Sequence, residues 1–209
     1  VLQRGMKVPI WGWADPDEEV TVTLGQQKAS AKADKDGKWK VTIGPLEAGG
    51  PFAMKIAGKN SIEFKNVLVG EVWVGSGQSN MQMNVGGCIN AKDEIAAADF
   101  PKIRLFTVPT IAMPTPQTNC PGSWAECSPK NVGGFSAALF FFGRELSKNV
   151  NVPIGLIHTS WGGTPAEAWT TKPTLESDPD FKPIVDRFNK SVEDYPKVKE
   201  GFAATLARW

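Results

Sequence analysis

The sequence contains few of the residues that metal sites and membrane segments need. It has a single histidine, His158, and three cysteines, Cys88, Cys120 and Cys127, none of them in a Cys-x-x-Cys pair. A zinc site needs about four such ligands, so we expect no bound metal and no other cofactor. No apolar run approaches the roughly 18 residues of a membrane-spanning helix, so we expect no membrane span.

Excess charge of one sign is also missing. The chain carries 23 Lys and Arg against 22 Asp and Glu, which gives a net charge of +1, and the basic residues are scattered. This argues against a nucleic-acid partner. With 41% hydrophobic and 22% charged residues, the 209-residue chain has the composition of a globular protein with one large domain or two smaller ones.

Residues 1–65 have the pattern of antiparallel strands. Residues 20–24 are rich in β-branched side chains, and residues 39–43 alternate apolar and polar ones. Residues 34–37 lie between these two segments and have the composition of a hairpin turn. Residues 52–56 resume the strand pattern. We therefore predict a small antiparallel β-sandwich domain over residues 1–65.

The pattern changes at about residue 66. Residues 67–74 form an almost continuous apolar run, which predicts a strand buried on both faces and places Trp73 in the core. A helix is predicted over residues 91–98 and a strand over residues 103–108. Residues 109–134 are rich in Pro and Gly and predict a long loop.

The remaining segment continues this alternation of strands and helices. An apolar stripe at helical spacing predicts an amphipathic helix whose buried face is formed by Phe135, Leu139, Phe142 and Leu146. A strand is predicted over residues 153–159. A second apolar stripe predicts a final helix and is formed by Phe181, Val185, Phe188 and Val192. This order of elements predicts an α/β domain with a parallel sheet over residues 66–209.

The segment after the apolar run, residues 75–81, contains the strongest candidate for chemistry. A nucleophilic serine must be presented at a strand end, where backbone N–H groups point at the same spot. Ser79 has this position, and Gly75 and Gly77 permit the sharp turn. The G-x-S-x-G elbow itself is absent. On spacing alone, a loop of Gly, Ser and Asn after a strand is more often a simple turn.

A second glycine turn follows the last predicted strand. Ligands of open α/β sheets bind beyond the carboxyl ends of the strands, so this turn and Ser79 should lie at the same edge. The backbone of Gly162 and Gly163 offers an N–H group to an oxyanion. Thr164 and Glu167 have the spacing of a helix capping box, which is an equally good interpretation of these two residues.

Separated segments of the chain resemble sialate O-acetylesterases, a family of the SGNH hydrolases. Residues 70–81 (GEVWVGSGQSNM) look like the first block of that family, and residues 153–169 (PIGLIHTSWGGTPAEAW) are similar to the second. The opening of the chain with residues 9–12, and the turn at residues 36–39, resemble the family's N-terminal β-domain. Residues 133–137 resemble the start of the helix before the second block. The resemblance thus covers nearly the whole chain.

The resemblance implies a fold, a reaction and a site. The implied fold is part of an SGNH-type three-layer α/β/α parallel sheet, preceded by the β-sandwich. Ser79 corresponds to the nucleophile, and its N–H forms the oxyanion hole with that of Gly162 or Gly163. The implied substrate is an O-acetylated sialic acid, which yields acetate and the free sugar without a metal. The candidate substrate-binding residues are Gln78, Asn80, Trp161 and Glu167.

One part of the family pattern is missing. Its catalytic His and Asp lie near the end of the hydrolase domain, and no such motif precedes Trp209. We therefore expect the chain to be the first part of a longer hydrolase, with His and Asp supplied by a further C-terminal segment or a second chain. His158 is the only imidazole that could replace them, but we expect it to pack beneath the site.

Compartment and disulfide state follow only from weak signals. Cys120 and Cys127 bracket a short Pro/Gly loop, and either a disulfide or two free thiols fits them. The chain starts at Val1 without Met and without a visible signal peptide. Together with the habit of the family, these features predict a protein that is secreted, periplasmic or in the lysosomal lumen.

Two other functions are compatible with the sequence. The same serine chemistry serves an acetylxylan esterase or an esterase of another acetylated glycan, because sugar specificity is set by pocket contacts. The missing base and the eight tryptophans also fit a carbohydrate-binding module without turnover.

Overall fold

The computed structural model describes residues 1–113 and 115–208. Within them the strands are β1 (Leu2–Gln3), β2 (Val8–Trp13), β3 (Glu19–Leu24), β4 (Gln27–Lys32), β5 (Lys38–Ile43), β6 (Gly49–Ala57), β7 (Ser61–Gly77), β8 (Phe100–Thr107), β9 (Ala125–Cys127) and β10 (Ile154–Ser160). The helices are α1 (Ser79–Gln82), α2 (Ala91–Ala96), α3 (Pro129–Val132), α4 (Ala137–Val150), α5 (Lys172–Glu176) and α6 (Lys182–Leu206). Single 3₁₀ turns occupy Val85–Gly87, Ala166–Trp169 and Pro179–Phe181.

The N-terminal strands are largely antiparallel, as predicted. β3 pairs with β4 and β6, while β2 and β5 form a separate two-stranded sheet. Every second side chain of β5 is buried, beginning with Trp39. These side chains join Val20, Val22 and Leu24 of β3 in one hydrophobic cluster. The two-stranded sheet is therefore fixed to the larger sheet by this shared core.

The turn predicted at residues 34–37 forms, but it does not join the two predicted strands, residues 20–24 and 39–43, in a hairpin. The turn forms, because the Asp34 carboxylate accepts hydrogen bonds from the N–H groups of Asp36 and Lys38, each at 2.9 Å. It connects β4 to β5, however, and these strands belong to different sheets. The hairpin partner of β3 is β4, reached through a tight turn in which Gly25 has φ +56°.

The long strand β7 joins the two halves of the chain. Its first part pairs antiparallel with β6, and from Glu71 to Gly77 it pairs parallel with β10. β10 pairs parallel with β8 on its other side, so one eight-stranded sheet contains both halves. The prediction of a mixed α/β fold is thereby confirmed. The boundary proposed at residue 65 lies inside β7.

The second half of β7 is less buried than its apolar sequence predicted. Leu68, Val69 and Gly70 are buried, but Trp73 is 43% exposed and Val74 62% exposed. Within the described residues, β10 is the only strand that pairs with β7 from Glu71 to Gly77, so the other edge of this stretch is free. The placement of Trp73 in the core was therefore wrong; its ring meets Phe142 edge-on, with centroids 5.1 Å apart.

Helix α4 covers the parallel strands with a face that differs from the predicted stripe. Leu139 and Phe140 are buried, whereas Phe142 is 42% exposed. The contact is centred on Gly143, where an added Cβ would lie 2.5 Å from a methyl carbon of Leu156 on β10. Because Gly143 packs against β10, the helix face that carries Phe140 points into the core and Phe142 lies at its edge. The prediction that Phe142 is buried was therefore wrong.

One further segment differs from its prediction, and the predicted final helix is present. The segment predicted as a loop over residues 109–134, of which residue 114 lies outside the described residues, contains β9 and α3. The final helix forms as α6, but Phe188 is 48% exposed and Val192 45% exposed. None of the helices in residues 1–113 and 115–208 combines the length and apolar character needed to cross a membrane.

Candidate active site

Ser79 is the first residue of helix α1 and follows strand β7 directly. Its side chain is exposed, and its Oγ donates a hydrogen bond to Oε1 of Gln78 at 3.3 Å. Gly77 has φ +136°, a backbone conformation that favours glycine. A Cβ at Gly75 would lie 2.7 Å from a methyl carbon of Leu139, so a side chain there would force Leu139 to shift. The two glycines thus let the chain turn sharply and present the serine.

The short helix α1 is anchored to the start of α4. Ser136 Oγ donates a hydrogen bond to the carbonyl of Met81 at 2.6 Å, and the N–H of Ala137 donates to the carbonyl of Met83 at 2.8 Å. Ser136 is fully buried. The four-residue helix that begins at Ser79 is therefore held by the core side of the domain.

The second glycine turn lies beside Ser79. The N–H of Trp161 donates to the carbonyl of Gly77 at 2.9 Å, which continues the pairing of β10 with β7. A Cβ at Gly162 would lie 3.5 Å from Cα and 3.6 Å from Cβ of Ser79. The structure therefore brings both glycine turns to one edge of the sheet.

The three expected oxyanion donors differ in their surroundings. The N–H of Gly162 donates to Oε1 of Gln82 at 2.7 Å, so it already has a hydrogen-bond acceptor. The N–H of Ser79 makes only a long contact of 3.5 Å with Gln78. Gly163 has φ +79°, and its N–H has no acceptor among the residues that the structure describes. Ser79 and Gly163 thus offer the less engaged N–H groups.

The four candidate substrate-binding residues do not form one cluster of contacts. Gln78 contacts Ser79, and Asn80 is exposed one residue further on. Trp161 is 37% exposed. Glu167 forms an ion pair with Arg187 of α6 at 3.1 Å.

The capping box proposed for Thr164 and Glu167 was wrong. The chain forms a 3₁₀ turn over Ala166–Trp169 that has no side-chain cap. Thr164 Oγ1 instead donates to the carbonyl of Trp161 at 2.6 Å and accepts from Nε1 of Trp169 at 2.8 Å. The threonine hydroxyl therefore fixes the indole of Trp169, because these two bonds occupy it.

His158 is buried on β10 and is not a partner of Ser79. Its Nε2 is hydrogen-bonded to Ser160 Oγ, and its ring meets Phe135 edge-on at 5.6 Å. Burial lowers the pKa of His158 below its usual value. The imidazole thus packs within the sheet and helix layers, and within the described residues Ser79 has no histidine base.

The cysteines and acidic residues form neither a disulfide nor a metal-binding group within the part of the chain that the structure describes. All three cysteines are free, and burial raises the pKa of the Cys127 thiol to about 12, which keeps it protonated. In residues 1–113 and 115–208, no group of three or more His, Cys, Asp and Glu side chains is placed to hold a metal ion.

A groove of about 750 Å³ lies next to the second glycine turn. One side is formed by Trp161 and Trp169, and the other by side chains of α6 that include Arg187 and Phe188. No sequence pattern indicated a role for Arg187. Gln82 was also missed, although it lies three residues after Ser79 and so on a neighbouring position of the same helical turn.

Comparison with known proteins identifies the family. The chain matches the family model described as carbohydrate esterase, sialic acid-specific acetylesterase, over residues 69–202. It is 32% identical over 219 residues to the sialate O-acetylesterase of Mus musculus, covering 90% of this chain and 40% of that protein. It is 36% identical over 191 residues to the sialate O-acetylesterase of Homo sapiens, covering 80% of this chain and 36% of that protein.

A solved structure agrees with these sequence matches. The crystal structure of a carbohydrate acetylesterase from Xanthomonas citri superposes with a TM-score of 0.81 at 34% identity, covering 87% of this chain and 42% of that one. The chain belongs to the sialic acid-specific acetylesterase family of carbohydrate esterases, which confirms the resemblance seen in its sequence. It spans about two fifths of the length of these relatives.

Proposed function

We propose that the protein is a carbohydrate esterase that removes O-acetyl groups from sialic acids by serine acyl transfer, with Ser79 as nucleophile. The observation that carries the proposal is the exposed Ser79 beside Gly162, where the parallel strands β7 and β10 end. Membership of the esterase family and the likeness to a carbohydrate acetylesterase support it.

The proposed reaction proceeds in two acyl transfers. Ser79 Oγ attacks the acetyl carbonyl carbon, and its proton passes to a general base. The tetrahedral intermediate collapses, the bond from the acetyl carbon to the sugar oxygen breaks, and the sugar leaves with the proton. Water then attacks the acetyl-serine, releasing acetate and restoring the Ser79 hydroxyl.

The negative charge of the intermediate would be stabilised by backbone N–H groups. Those of Ser79 and Gly163 are the less engaged donors, and that of Gly162 joins them when Gln82 releases it. Preorganised donors of this kind contribute about 3 kcal/mol each to the lowering of the barrier.

The general base would come from outside this chain segment. His158 is bonded to Ser160, so we propose that a further C-terminal segment or a second chain supplies His and Asp. In the same proposal, residues 1–65 are a small β-sandwich domain, and residues 66–209 are the first part of an SGNH-type three-layer hydrolase domain. A secreted, periplasmic or lysosomal location belongs to this proposal as well.

The sugar would be held by polar and aromatic side chains around the two turns. Gln78 and Asn80 flank Ser79, and Trp161 precedes Gly162. Glu167 is positioned by its ion pair with Arg187. Gln78, Asn80 and Trp161 are exposed, so a sugar ring can approach them from solvent.

The test is acetate release from an O-acetylated sialic acid by the complete protein. The Ser79→Ala variant should lose activity by about 10³-fold or more, because the attacking oxygen is removed. Ser76→Ala is a matched control, since Ser76 Oγ donates to the carbonyl of Thr159 and lies outside the proposed machinery. Full activity in Ser79→Ala would overturn the assignment.

Two alternatives make different predictions in the same assay. An acetylxylan or other acetylated-glycan esterase would release acetate from neutral acetylated sugars at least as fast as from sialic acids. A carbohydrate-binding module would bind the sugar and release no acetate. The exposed indoles of Trp161 and Trp169 are compatible with that second outcome.

A further inference from the structure

The groove beside the second glycine turn has two walls of different origin. Trp161 and Trp169 come from the segment after β10, and Arg187 and Phe188 come from helix α6. Trp161 is the residue before Gly162, and Gly162 lies against Ser79. The groove therefore adjoins the turn that contacts the proposed nucleophile.

The indole of Trp169 is held in a fixed orientation. Its Nε1 donates to Thr164 Oγ1 at 2.8 Å, and this hydroxyl donates to the carbonyl of Trp161 at 2.6 Å. The side chain remains 44% exposed. An indole with its polar end satisfied and part of its surface open provides an apolar surface for a sugar ring.

Arg187 supplies a positive charge to the same groove. Its Nη2 pairs with Glu167 at 3.1 Å, and its side chain is 70% exposed. A guanidinium carries five N–H donors, so most of them remain available beside that one bond. The groove also contains Lys172, whose Nζ contacts Glu176 at 3.6 Å and Asn189 Oδ1 at 3.2 Å and lies 6.0 Å from the centroid of the Phe188 ring. Its ammonium thus already has two polar partners, and it lacks the planar fork that pairs with a carboxylate.

We propose that Arg187 is a specificity-determining residue that binds the carboxylate of an acidic sugar whose ring lies against Trp169. A planar guanidinium matches a carboxylate through paired N–H···O bonds, and no feature of a neutral sugar replaces that contact. Glu167 holds the guanidinium at the groove. The inference rests on the proposed function, because it concerns the sugar whose acetyl ester reaches Ser79.

The experiment compares two ligands that differ at one group, which is a charged carboxylate in the first and an uncharged methyl ester in the second. The methyl glycoside of N-acetylneuraminic acid and its methyl ester are titrated into the protein by calorimetry. Wild type should bind the acid more tightly than the ester. Arg187→Met should weaken binding of the acid by about tenfold to a hundredfold and leave binding of the ester unchanged. The affinity of Arg187→Lys for the acid should lie between those of wild type and Arg187→Met, because lysine keeps the charge but loses the paired geometry.

Arg208→Met is the matched control, since Arg208 lies beyond the end of α6 and away from the groove. Circular dichroism checks that each variant is folded. Equal affinity for acid and ester, unchanged binding of the acid by Arg187→Met, or no measurable binding of the acid to wild type would each overturn the proposal. The readout needs no turnover. An Arg187-dependent preference without acetate release would therefore refute the esterase proposal and leave the carboxylate site in place.

Discussion

Gln82 Oε1 accepts a hydrogen bond from the N–H of Gly162 at 2.7 Å. The bond links helix α1, which carries Ser79, to the turn after β10, although the two residues are 80 positions apart in the chain. It therefore fixes the distance between the two glycine turns and at the same time occupies one of the proposed oxyanion donors.

Removing this bond should loosen the second turn without unfolding the domain. Because Gly162 is close to solvent, its N–H can be rehydrated, and Gln82→Ala should cost only about 1 kcal/mol of the free energy of unfolding. The N–H of Gly162 should exchange with solvent faster in the variant, as measured by NMR. Gln82→Glu, which keeps an acceptor, is the control. Unchanged exchange in Gln82→Ala would show that the bond is not maintained in solution.

The junction between the two halves of β7 should tolerate no side chain at Gly70. A Cβ there would overlap the carbonyl oxygen of Pro153, a backbone atom that also accepts the N–H of Glu71 at 2.9 Å. Gly70→Ala should therefore lower the free energy of unfolding by about 3 kcal/mol in urea denaturation. Gly134→Ala is the control and should be nearly neutral, since nothing lies within 4 Å of its Cβ position. Equal effects of the two substitutions would contradict this packing.

The two neighbouring phenylalanines of α4 should differ strongly in their contribution to stability. Phe140 is fully buried and Phe142 is 42% exposed. Phe140→Ala should cost about 3–5 kcal/mol of the free energy of unfolding because it leaves a cavity. Phe142→Ala should cost about 1 kcal/mol, since it removes mainly the contact with Trp73. If the order were reversed, α4 would present its other face to the sheet.

This difference marks the limit of what the sequence pattern predicted. The stripe correctly predicted a helix, but the rotation of α4 depends on the contact of Gly143 with Leu156, which comes from another strand. β4 was missed because its sequence, QKASAK, has neither β-branched residues nor alternating large apolar ones. Trp73 was wrongly predicted to be buried, because the burial of β7 depends on which strands lie beside it. Those strands come from distant parts of the chain, so the local sequence does not show them.

For the candidate site, the sequence predicted which turns lie close together but not the side-chain contacts between them. Ser79 and Gly162 each follow a parallel strand, and the carboxyl ends of parallel strands meet at one edge, so their proximity could be predicted. The contacts of Gln82 and Arg187 could not, because they join residues 80 and 20 positions apart through packing of loops and helices. Local spacing predicted a capping box for Thr164, whose hydroxyl is instead used by Trp169.

The buried pair of His158 and Ser160 should make stability depend on pH. His158 Nδ1 has no hydrogen-bond partner within the described residues, and burial lowers the pKa of the imidazole below its usual 6.5. As the pH falls below about 6.5, the unfolded chain binds a proton that the folded chain does not, so the free energy of unfolding decreases. The decrease ends once the pH is below the folded-state pKa, because both states are then protonated.

Replacing the imidazole should remove this contribution. His158→Gln keeps a polar side chain next to Ser160 but has no group that titrates in this range. As the pH is lowered from about 7.5 to 5, the free energy of unfolding of wild type should therefore decrease relative to that of His158→Gln, as measured by urea denaturation. Carboxylates titrate in both proteins, so their contribution to the free energy of unfolding cancels in the difference. A difference that stays constant over this range would mean that His158 is accessible to protons in the folded state, and that its burial does not determine its ionisation.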